Sequence, residues 1–303
     1  MAFLRNLLGA TVFGLCAINT VVWIIPLLTF TLFKFLVPIA PFRTVMTRWI
    51  MAMGENWIST NAVIFAAVNR TRYTVTGLDE LRRDNWYLLL VNHQTWVDII
   101  ALQTVLNRRI PFLKFFVKQQ LIWFPLLGVA FWALDMPFMR RYSKDYLARH
   151  PEKKGQDLEM TRKACARFHS TPTSVINFVE GTRFSEAKRA RRDSPYRHLL
   201  PPRSGGVAIT VSAMGEMFDA MLDVTLFYPQ GVPTFWDAMC GRFSEVVVRI
   251  HRRPIEDWIV KGDYVDDREF RRDFHRWLSE LWVAKDQELS DLYAGNPRQE
   301  ADG

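Results

Sequence analysis

His93 and Asp98 are the two residues of this chain whose types and spacing are best suited to acid–base chemistry. His93 follows the apolar run Tyr87–Val91, which predicts a strand, and Asp98 lies five residues later in the stretch NHQTWVD. A carboxylate bonded to one imidazole nitrogen fixes the tautomer and raises the basicity of the ring, which leaves the other nitrogen free to take a proton.

The spacing of this pair sets a geometric condition. On one regular helix, five residues turn by about 500°, so the two side chains would point roughly 140° apart. They can meet only if His93 lies in a turn at the end of the strand and Asp98 in the first turns of the following helix. An isolated histidine and aspartate at this spacing are more often a capping or core histidine and an unrelated aspartate. The prediction of a catalytic pair therefore depends on the other motifs in the chain.

A second group of residues suits the binding of a phosphate. Glu180, Gly181, Thr182 and Arg183 follow the apolar run 173–179, so they lie in a turn at the end of another predicted strand. A flexible glycine, exposed backbone N–H groups and a fixed cation are suited to a phosphate group. Between the two groups, the stretch MPFMRR (136–141) reads as a third strand that ends in cations, Arg140 and Arg141.

Short apolar runs alternate with helical patterns along the rest of the chain. The predicted strands are Tyr73–Thr76, Tyr87–Val91, Phe112–Val117, Pro137–Met139, Thr173–Val179, Asp223–Tyr228 and Glu245–Ile250. The predicted helices cover 94–106, 156–169, 206–220 and 266–290. Strands separated by helices predict an α/β fold with a largely parallel or mixed central sheet flanked by helices. Ligands bind at the carboxyl ends of such strands, where His93 would lie.

The N-terminus predicts a membrane anchor. Residues 6–33 carry no charged side chain, and roughly 20 apolar residues suffice to span a bilayer. We expect Pro26 to kink or end the first helix. A cleaved signal peptide is the alternative, but the apolar run is too long and no small-residue cleavage site follows it. The predicted organisation is an anchor (1–42) formed by one helix or a helix pair, an amphipathic membrane-proximal helix (43–70) and an α/β domain (71–303).

The charges that flank this anchor predict its orientation. Lys34, Arg43 and Arg48 follow the apolar stretch, whereas only Arg5 precedes it. The positive-inside bias therefore predicts that the α/β domain faces the cytoplasm. A second apolar block, 121–134, is too short to span comfortably. It reads either as a buried strand–helix unit or as an acyl-chain groove or membrane-dipping face.

Composition narrows the class of protein. Nearly half of the 303 residues are hydrophobic, which excludes a disordered chain. The formal net charge of +8 suits nucleic acid, an anionic membrane or a phosphate-bearing substrate. The three cysteines are widely separated and form no C-x-x-C pair, so neither a disulfide framework nor a structural zinc site is indicated. The basic cluster Lys188, Arg189, Arg191 and Arg192 is either a solvated loop or a contact for anionic lipid or an acidic donor protein.

These motifs together resemble the lysophosphatidic acid acyltransferase family, also called 1-acyl-sn-glycerol-3-phosphate acyltransferases. NHQTWVD is similar to the first family block, MPFMRR to the second and FVEGTR to the third, with Val179 where many members carry proline. Lys118 in FVKQQL resembles another family segment. The run Leu199-Leu200-Pro201, followed by two glycines, resembles the branch that includes the microsomal enzymes. The chain as a whole resembles the bacterial inner-membrane and microsomal-type branch of the family. The fourth block has no clean match; residues 223–225 or Pro229 stand near its place.

The resemblance implies a mechanism and a site. His93, held by Asp98, would remove the proton from the acceptor's hydroxyl, which would attack an acyl thioester directly, and a backbone N–H near the His93 turn or a neighbouring side chain would stabilise the oxyanion. Phosphate binding would fall to Arg183, Arg141 and Lys118, with Glu180 and Gly181 shaping the turn. It implies no metal and no bound cofactor, with acyl-CoA or acyl-carrier protein as the donor substrate. The expected location is the cell inner membrane, in contact with anionic membrane lipids.

Three alternatives stay open at this stage. The same chemistry could act on another lysophospholipid, such as lysophosphatidylglycerol or lysophosphatidylinositol. A membrane scaffold with a decayed site is disfavoured because His93, Asp98, Glu180 and Arg183 are all retained. Nucleic-acid binding is suggested by charge alone, and the chain contains no recognised nucleic-acid module, so we expect no nucleic-acid partner.

Overall fold

A computed structural model describes residues 2–68, 70–124, 126–139 and 171–296, together with residues 149, 159, 165 and 168. Two long helices begin the chain, α1 (Ala2–Leu36) and α2 (Ala40–Val68), and they pack against each other as a hairpin. The expectation that Pro26 ends the first helix is wrong, because α1 continues past Pro26 to Leu36. The break lies instead at residues 37–39, just before Pro41 in the first turn of α2, where a proline removes no helical hydrogen bond.

Polar side chains inside the apolar helix α1 bond to α2. The Asn19 amide donates to the Trp57 carbonyl at 3.1 Å and to Asn61 Oδ1 at 2.9 Å, and the Trp57 indole donates to Thr20 Oγ1 at 3.1 Å. These bonds satisfy groups that would otherwise be costly to remove from water. By length and composition, α1 is the one helix of the described residues that could cross a membrane. Its outer face exposes large apolar side chains, among them Phe3, Leu4, Ile18, Ile25 and Phe35.

Six strands form the central sheet: β1 (Arg72–Thr76), β2 (Tyr87–Val91), β3 (Leu113–Phe115), β6 (Ser174–Phe178), β7 (Ala220–Phe227) and β8 (Glu245–Arg253). Their order across the sheet is β1-β8-β7-β2-β6-β3. All neighbouring pairs are parallel except β7 and β8, which are antiparallel. The predicted fold class, a largely parallel or mixed sheet flanked by helices, is confirmed.

Two predicted strands differ from their expected form. The run 112–117 divides into β3 and the short β4 (Val117–Lys118), and β4 pairs with β5 (Phe138–Met139) in a separate two-stranded sheet. The strand of the MPFMRR stretch, β5, therefore does not join the central sheet. Its cations at 140 and 141, and most of the helix predicted over 156–169, lie outside the described residues.

Helices cover both faces of the sheet. One face packs on α3 (Val97–Leu106), on the later helix α7 (Phe235–Met239) and on parts of the N-terminal hairpin. The other face packs on α6 (Ser204–Met214), α8 (Asp257–Lys261) and α9 (Arg268–Ala294). Strand β2 lies between two neighbours and is buried throughout, which explains its uninterrupted apolar sequence. The helix predicted over 206–220 ends earlier, at Met214, and β7 begins at Ala220, the last residue of the predicted helix.

The apolar block 121–134 lies at the surface. It forms a 3₁₀ helix (Gln119–Trp123) and the short helix α4 (Leu127–Ala133), and α4 packs against α1. The expectation of a buried unit is wrong for its largest side chains: Trp123 is 86% exposed, and Phe124 and Trp132 are also exposed. The Lys34 ammonium pairs with the Asp135 carboxylate at 3.1 Å, which ties the end of α1 to the residues just after α4.

Candidate active site

The turn that carries His93 joins β2 to α3. Strand β2 ends at Val91, and α3 begins at Val97, so Asp98 is the second residue of the helix. Asn92 ties the turn to β7: its amide donates to the Leu226 carbonyl at 2.9 Å, and its Oδ1 accepts from the Leu226 N–H at 2.8 Å. The geometric condition set by the spacing is therefore met, and His93 Nδ1 lies 2.8 Å from Asp98 Oδ2.

The Asp98 carboxylate is fully buried and accepts several hydrogen bonds. Besides the His93 imidazole, Oδ2 accepts from the backbone N–H groups of Gln94 (2.6 Å) and Thr95 (3.0 Å). Oδ1 accepts from the hydroxyl of Tyr228 at 2.7 Å. These donors fix the position of the buried carboxylate. These bonds occupy the N–H groups of Gln94 and Thr95, so the oxyanion donor expected near this turn would be another backbone N–H or a side chain.

The His93 ring is held on one side and open at its second nitrogen. It stacks on Phe178 with ring centroids 4.1 Å apart, and its side chain is 15% exposed. Within the described residues, Nε2 makes no hydrogen bond. The imidazole is thus oriented by a buried carboxylate while Nε2 is available to accept a proton, which is the arrangement of a general base.

Glu180 braces the catalytic turn from the end of β6. Its carboxylate is buried, and it accepts from the backbone N–H of His93 at 2.8 Å and of Leu200 at 2.9 Å. Burial raises the pKa of Glu180 to about 8, against the lowering effect of these two bonds. Both oxygens face backbone groups, so Glu180 shapes the turn that is predicted to bind phosphate.

Gly181 and Arg183 form the outer part of this turn. Gly181 has φ +67°, which favours glycine, and a Cβ at this position would lie 2.9 Å from Arg203 Cδ and would displace that side chain. Arg183 is exposed, and its guanidinium lies 5.0 Å from the centre of the Trp96 ring. The Phe184 N–H donates to the His93 carbonyl at 2.7 Å. The predicted phosphate turn and the predicted base are therefore brought together.

The two remaining predicted phosphate contacts are not part of this cluster. Lys118 ends β4, is exposed and has no hydrogen bond or ion pair with any residue that the structure describes. Arg141 lies outside the described residues. Their roles stay predictions.

Tyr228 and the buried cation Lys285 were not among the residues predicted from the sequence. The Lys285 ammonium pairs with the Asp223 carboxylate at 2.6 Å and donates to the Val224 carbonyl at 2.7 Å, beneath the strand next to β2. Lys285 takes its place in a buried stripe of α9 at helical spacing, Phe274, Leu278, Trp282 and Leu289. A charge within an apolar stripe is the signal that could have found it. Tyr228 follows the run 223–225, which had been placed near the fourth family block.

The electrostatics of Tyr228 agree with its role as a donor. Burial, followed by the neighbouring Asp98 carboxylate, raises the pKa of Tyr228 well above its usual 10. The hydroxyl therefore keeps its proton and donates a hydrogen bond to the carboxylate. Among the residues that the structure describes, no group of three or more His, Cys, Asp and Glu side chains is arranged to hold a metal ion.

Comparison with known proteins places the site in context. A family model described as acyltransferase matches residues 72–229, just over half of the chain, and this range includes the residues of the described site except Lys285. The "Probable 1-acyl-sn-glycerol-3-phosphate acyltransferase 5" of Arabidopsis thaliana is 26% identical over 254 residues, which cover 79% of this chain and 62% of the relative. The "Lysocardiolipin acyltransferase 1" of Mus musculus is 25% identical over 265 residues, or 82% and 65% of the two chains. The match therefore spans less than two thirds of these relatives.

A solved structure shares the fold. The crystal structure of the 1-acyl-sn-glycerophosphate acyltransferase from Thermotoga maritima superposes with a TM-score of 0.58, at 18% sequence identity, over 97% of this chain and 98% of the other.

Proposed function

The chain belongs to the acyltransferase family, and we propose that it transfers a fatty acyl group from an acyl thioester to the free hydroxyl of lysophosphatidic acid, giving phosphatidic acid. The observation that carries this proposal is the His93 imidazole, bonded through Nδ1 to the buried Asp98 carboxylate at 2.8 Å with Nε2 left open at the carboxyl end of β2. Relatives named as acylglycerophosphate and lysocardiolipin acyltransferases support it.

The reaction proceeds in a single transfer. His93 Nε2 takes the proton of the acceptor hydroxyl as its oxygen attacks the thioester carbonyl carbon, and Asp98 stabilises the resulting imidazolium. When the tetrahedral intermediate collapses, the carbon–sulfur bond breaks, and the imidazolium returns the proton to the departing thiolate. The new ester and the free thiol leave, and the imidazole is neutral again.

A covalent acyl-enzyme has no suitable thiol in the described residues. Burial raises the pKa of Cys165 to about 12 and also raises the pKa of Cys16 in α1, so neither thiol is a ready nucleophile. Cys240 is buried against the N-terminal helix beside Gly9. We infer that the enzyme uses no metal and no resident cofactor, and that acyl-CoA or acyl-carrier protein is the donor. Arg183 binds the acceptor phosphate, with Lys118 and Arg141 as further contacts.

We also infer how the chain meets the membrane. Helix α1 is bonded to the α/β domain near both ends: Asn6 Oδ1 accepts from the Arg242 guanidinium at 2.9 Å, and Lys34 pairs with Asp135 at 3.1 Å. These two points are roughly 40 Å apart along the helix. A helix held to one domain at both ends favours an orientation along the membrane surface over a span. The exposed faces of α1 and of residues 121–132 would enter one leaflet, on the cytoplasmic side of the cell inner membrane.

The test is acyl transfer by the purified protein from labelled oleoyl-CoA and oleoyl-acyl-carrier protein to a panel of lysolipids. We expect labelled phosphatidic acid from wild type and almost none from His93→Ala, whereas His275→Ala, a matched change at a histidine of α9, keeps the wild-type rate. Transfer to head-grouped lysolipids alone would overturn the acceptor in favour of lysophosphatidylglycerol, lysophosphatidylinositol or lysocardiolipin, the last being the named acceptor class of a relative. No transfer with any pair would overturn the function.

A further inference from the structure

Two more guanidinium groups flank the peptide that joins Glu180 to Gly181. Arg192 Nη1 donates to the Glu180 carbonyl at 3.4 Å. Arg203 packs its aliphatic stem against Gly181, and its backbone N–H donates to the Val179 carbonyl at 2.8 Å. The guanidinium of Arg192 and the aliphatic part of Arg203 are thus held at the carboxyl end of β6, next to the turn that carries His93.

The positive charge at this position is only weakly compensated by carboxylates. Within the part of the chain that the structure describes, Arg183, Arg192 and Arg203 have no ion pair. The Glu180 carboxylate faces inward to two backbone N–H groups. Burial, followed by repulsion from Arg203 and Arg191, lowers the pKa of Arg192, and attraction to Glu180 opposes this effect only in part. Like charges held close together cost free energy, and a bound anion would remove that cost.

A neighbouring cation provides a contrast within the same cluster. The Lys188 ammonium is already occupied, because it donates to Thr182 Oγ1 at 3.0 Å and to the Arg183 carbonyl at 2.8 Å. Arg189 pairs with Glu186 at 2.8 Å on the short helix α5 (Glu186–Arg191). Both side chains therefore hold the local structure, whereas Arg192 and Arg203 keep donors available to a ligand.

We propose that Arg192 and Arg203 form a second phosphate subsite beside Arg183. Arg183 lies over Trp96 near the base, whereas Arg192 and Arg203 are held at the Glu180–Gly181 peptide, so the two positions would bind different phosphate groups. Guanidinium groups suit this task because their planar forks bind phosphate oxygens in pairs. The inference rests on the proposed function for its source of phosphate, which is either the coenzyme A portion of the donor or a second phosphate in the acceptor headgroup.

Binding of a nucleoside bisphosphate tests the subsite without requiring catalysis. Adenosine 3′,5′-bisphosphate is titrated by calorimetry into detergent-solubilised wild type, Arg192→Gln, Arg203→Gln and the control Arg189→Gln, at constant ionic strength. Thermal unfolding confirms that each variant is folded. We expect the dissociation constant to rise by on the order of tenfold in the first two variants, the loss of about one charge-assisted contact, and to stay unchanged in the control. Equal binding by all four proteins would overturn the subsite even if acyl transfer is absent.

Kinetics then identify the source of the phosphate. If it belongs to the donor, the KM for oleoyl-CoA rises in Arg192→Gln and Arg203→Gln, while turnover of oleoyl-N-acetylcysteamine, a thioester without phosphate, is unchanged. If it belongs to the acceptor, the KM for lysocardiolipin rises and both donors behave as in wild type. An equal fall in kcat with both donors and no change in any KM would contradict the subsite, because it would mean that the arginines only support the catalytic turn.

Discussion

Replacement of Glu180 by glutamine gives the sharpest physical test of the brace behind His93. The buried carboxylate accepts one N–H on each oxygen, from His93 and from Leu200. Glutamine offers one carbonyl oxygen, which accepts, and one NH₂ group, which only donates, whereas the hydroxyl oxygen of a protonated carboxyl can still accept. Glu180→Gln therefore removes the titration of Glu180 but leaves one of the two backbone N–H groups without an acceptor.

The magnitude follows from the pKa of Glu180, which burial raises from 4.5 to about 8. The folded protein keeps this proton to a higher pH than the unfolded chain, so ionisation destabilises the fold as the pH rises. The penalty is absent below pH 4.5, grows through the window between the two values and is complete above pH 8. At about 1.4 kcal/mol per pH unit, it reaches at most about 5 kcal/mol.

The assay is the free energy of unfolding in detergent micelles, measured with denaturant from pH 5 to pH 9. We expect Glu180→Gln to be less stable than wild type near pH 5, by about 1–3 kcal/mol for the lost acceptor, and this difference to shift progressively in favour of the variant toward pH 9. Glu186→Gln, at an exposed carboxylate on α5, controls for the loss of a charge and is expected to show no such trend. A constant difference in stability between Glu180→Gln and wild type across this range would contradict the raised pKa of Glu180, because the carboxyl would then titrate outside this pH range.

Two further substitutions test the same site. In Tyr228→Phe, the Asp98 carboxylate loses the hydroxyl that donates to Oδ1, so its charge stabilises the imidazolium of His93 more strongly. We expect the acidic limb of kcat/KM against pH to move to higher pH, and a uniform loss of activity without such a move would argue against it. In Gly181→Ala, the left-handed backbone and the contact with Arg203 predict a loss of about 1–3 kcal/mol of stability; an unchanged denaturation midpoint would contradict the need for glycine.

Parts of the fold and site were predictable because local sequence determines them. The strand Tyr87–Val91 was predicted with its observed bounds, since a continuous apolar run between turns leaves little choice. The turn geometry of His93 and Asp98 followed from helix periodicity alone. Fold class followed from the alternation of strands and helices. Each of these inferences uses residues that are close together in the chain.

What the sequence did not reveal depends on contacts between distant segments. Tyr228 reaches Asp98 across 130 positions because β7 lies beside β2, and nothing in a single sequence specifies that order. Lys285 reaches Asp223 in the same way from α9. The surface position of residues 121–134 depends on their packing against α1, whereas hydrophobicity alone suggested burial.

The most direct test of the account is a single-turnover reaction with labelled oleoyl thioester and lysophosphatidic acid. Samples are quenched in acid, and the label is followed in lipid by chromatography and on protein by denaturing electrophoresis. Direct transfer with His93 as the base predicts that label passes straight into phosphatidic acid with none on the protein, and that His93→Gln slows the transfer by about 10²–10⁴-fold. Label that accumulates on the protein before the lipid appears, or a His93→Gln rate equal to wild type, would contradict it.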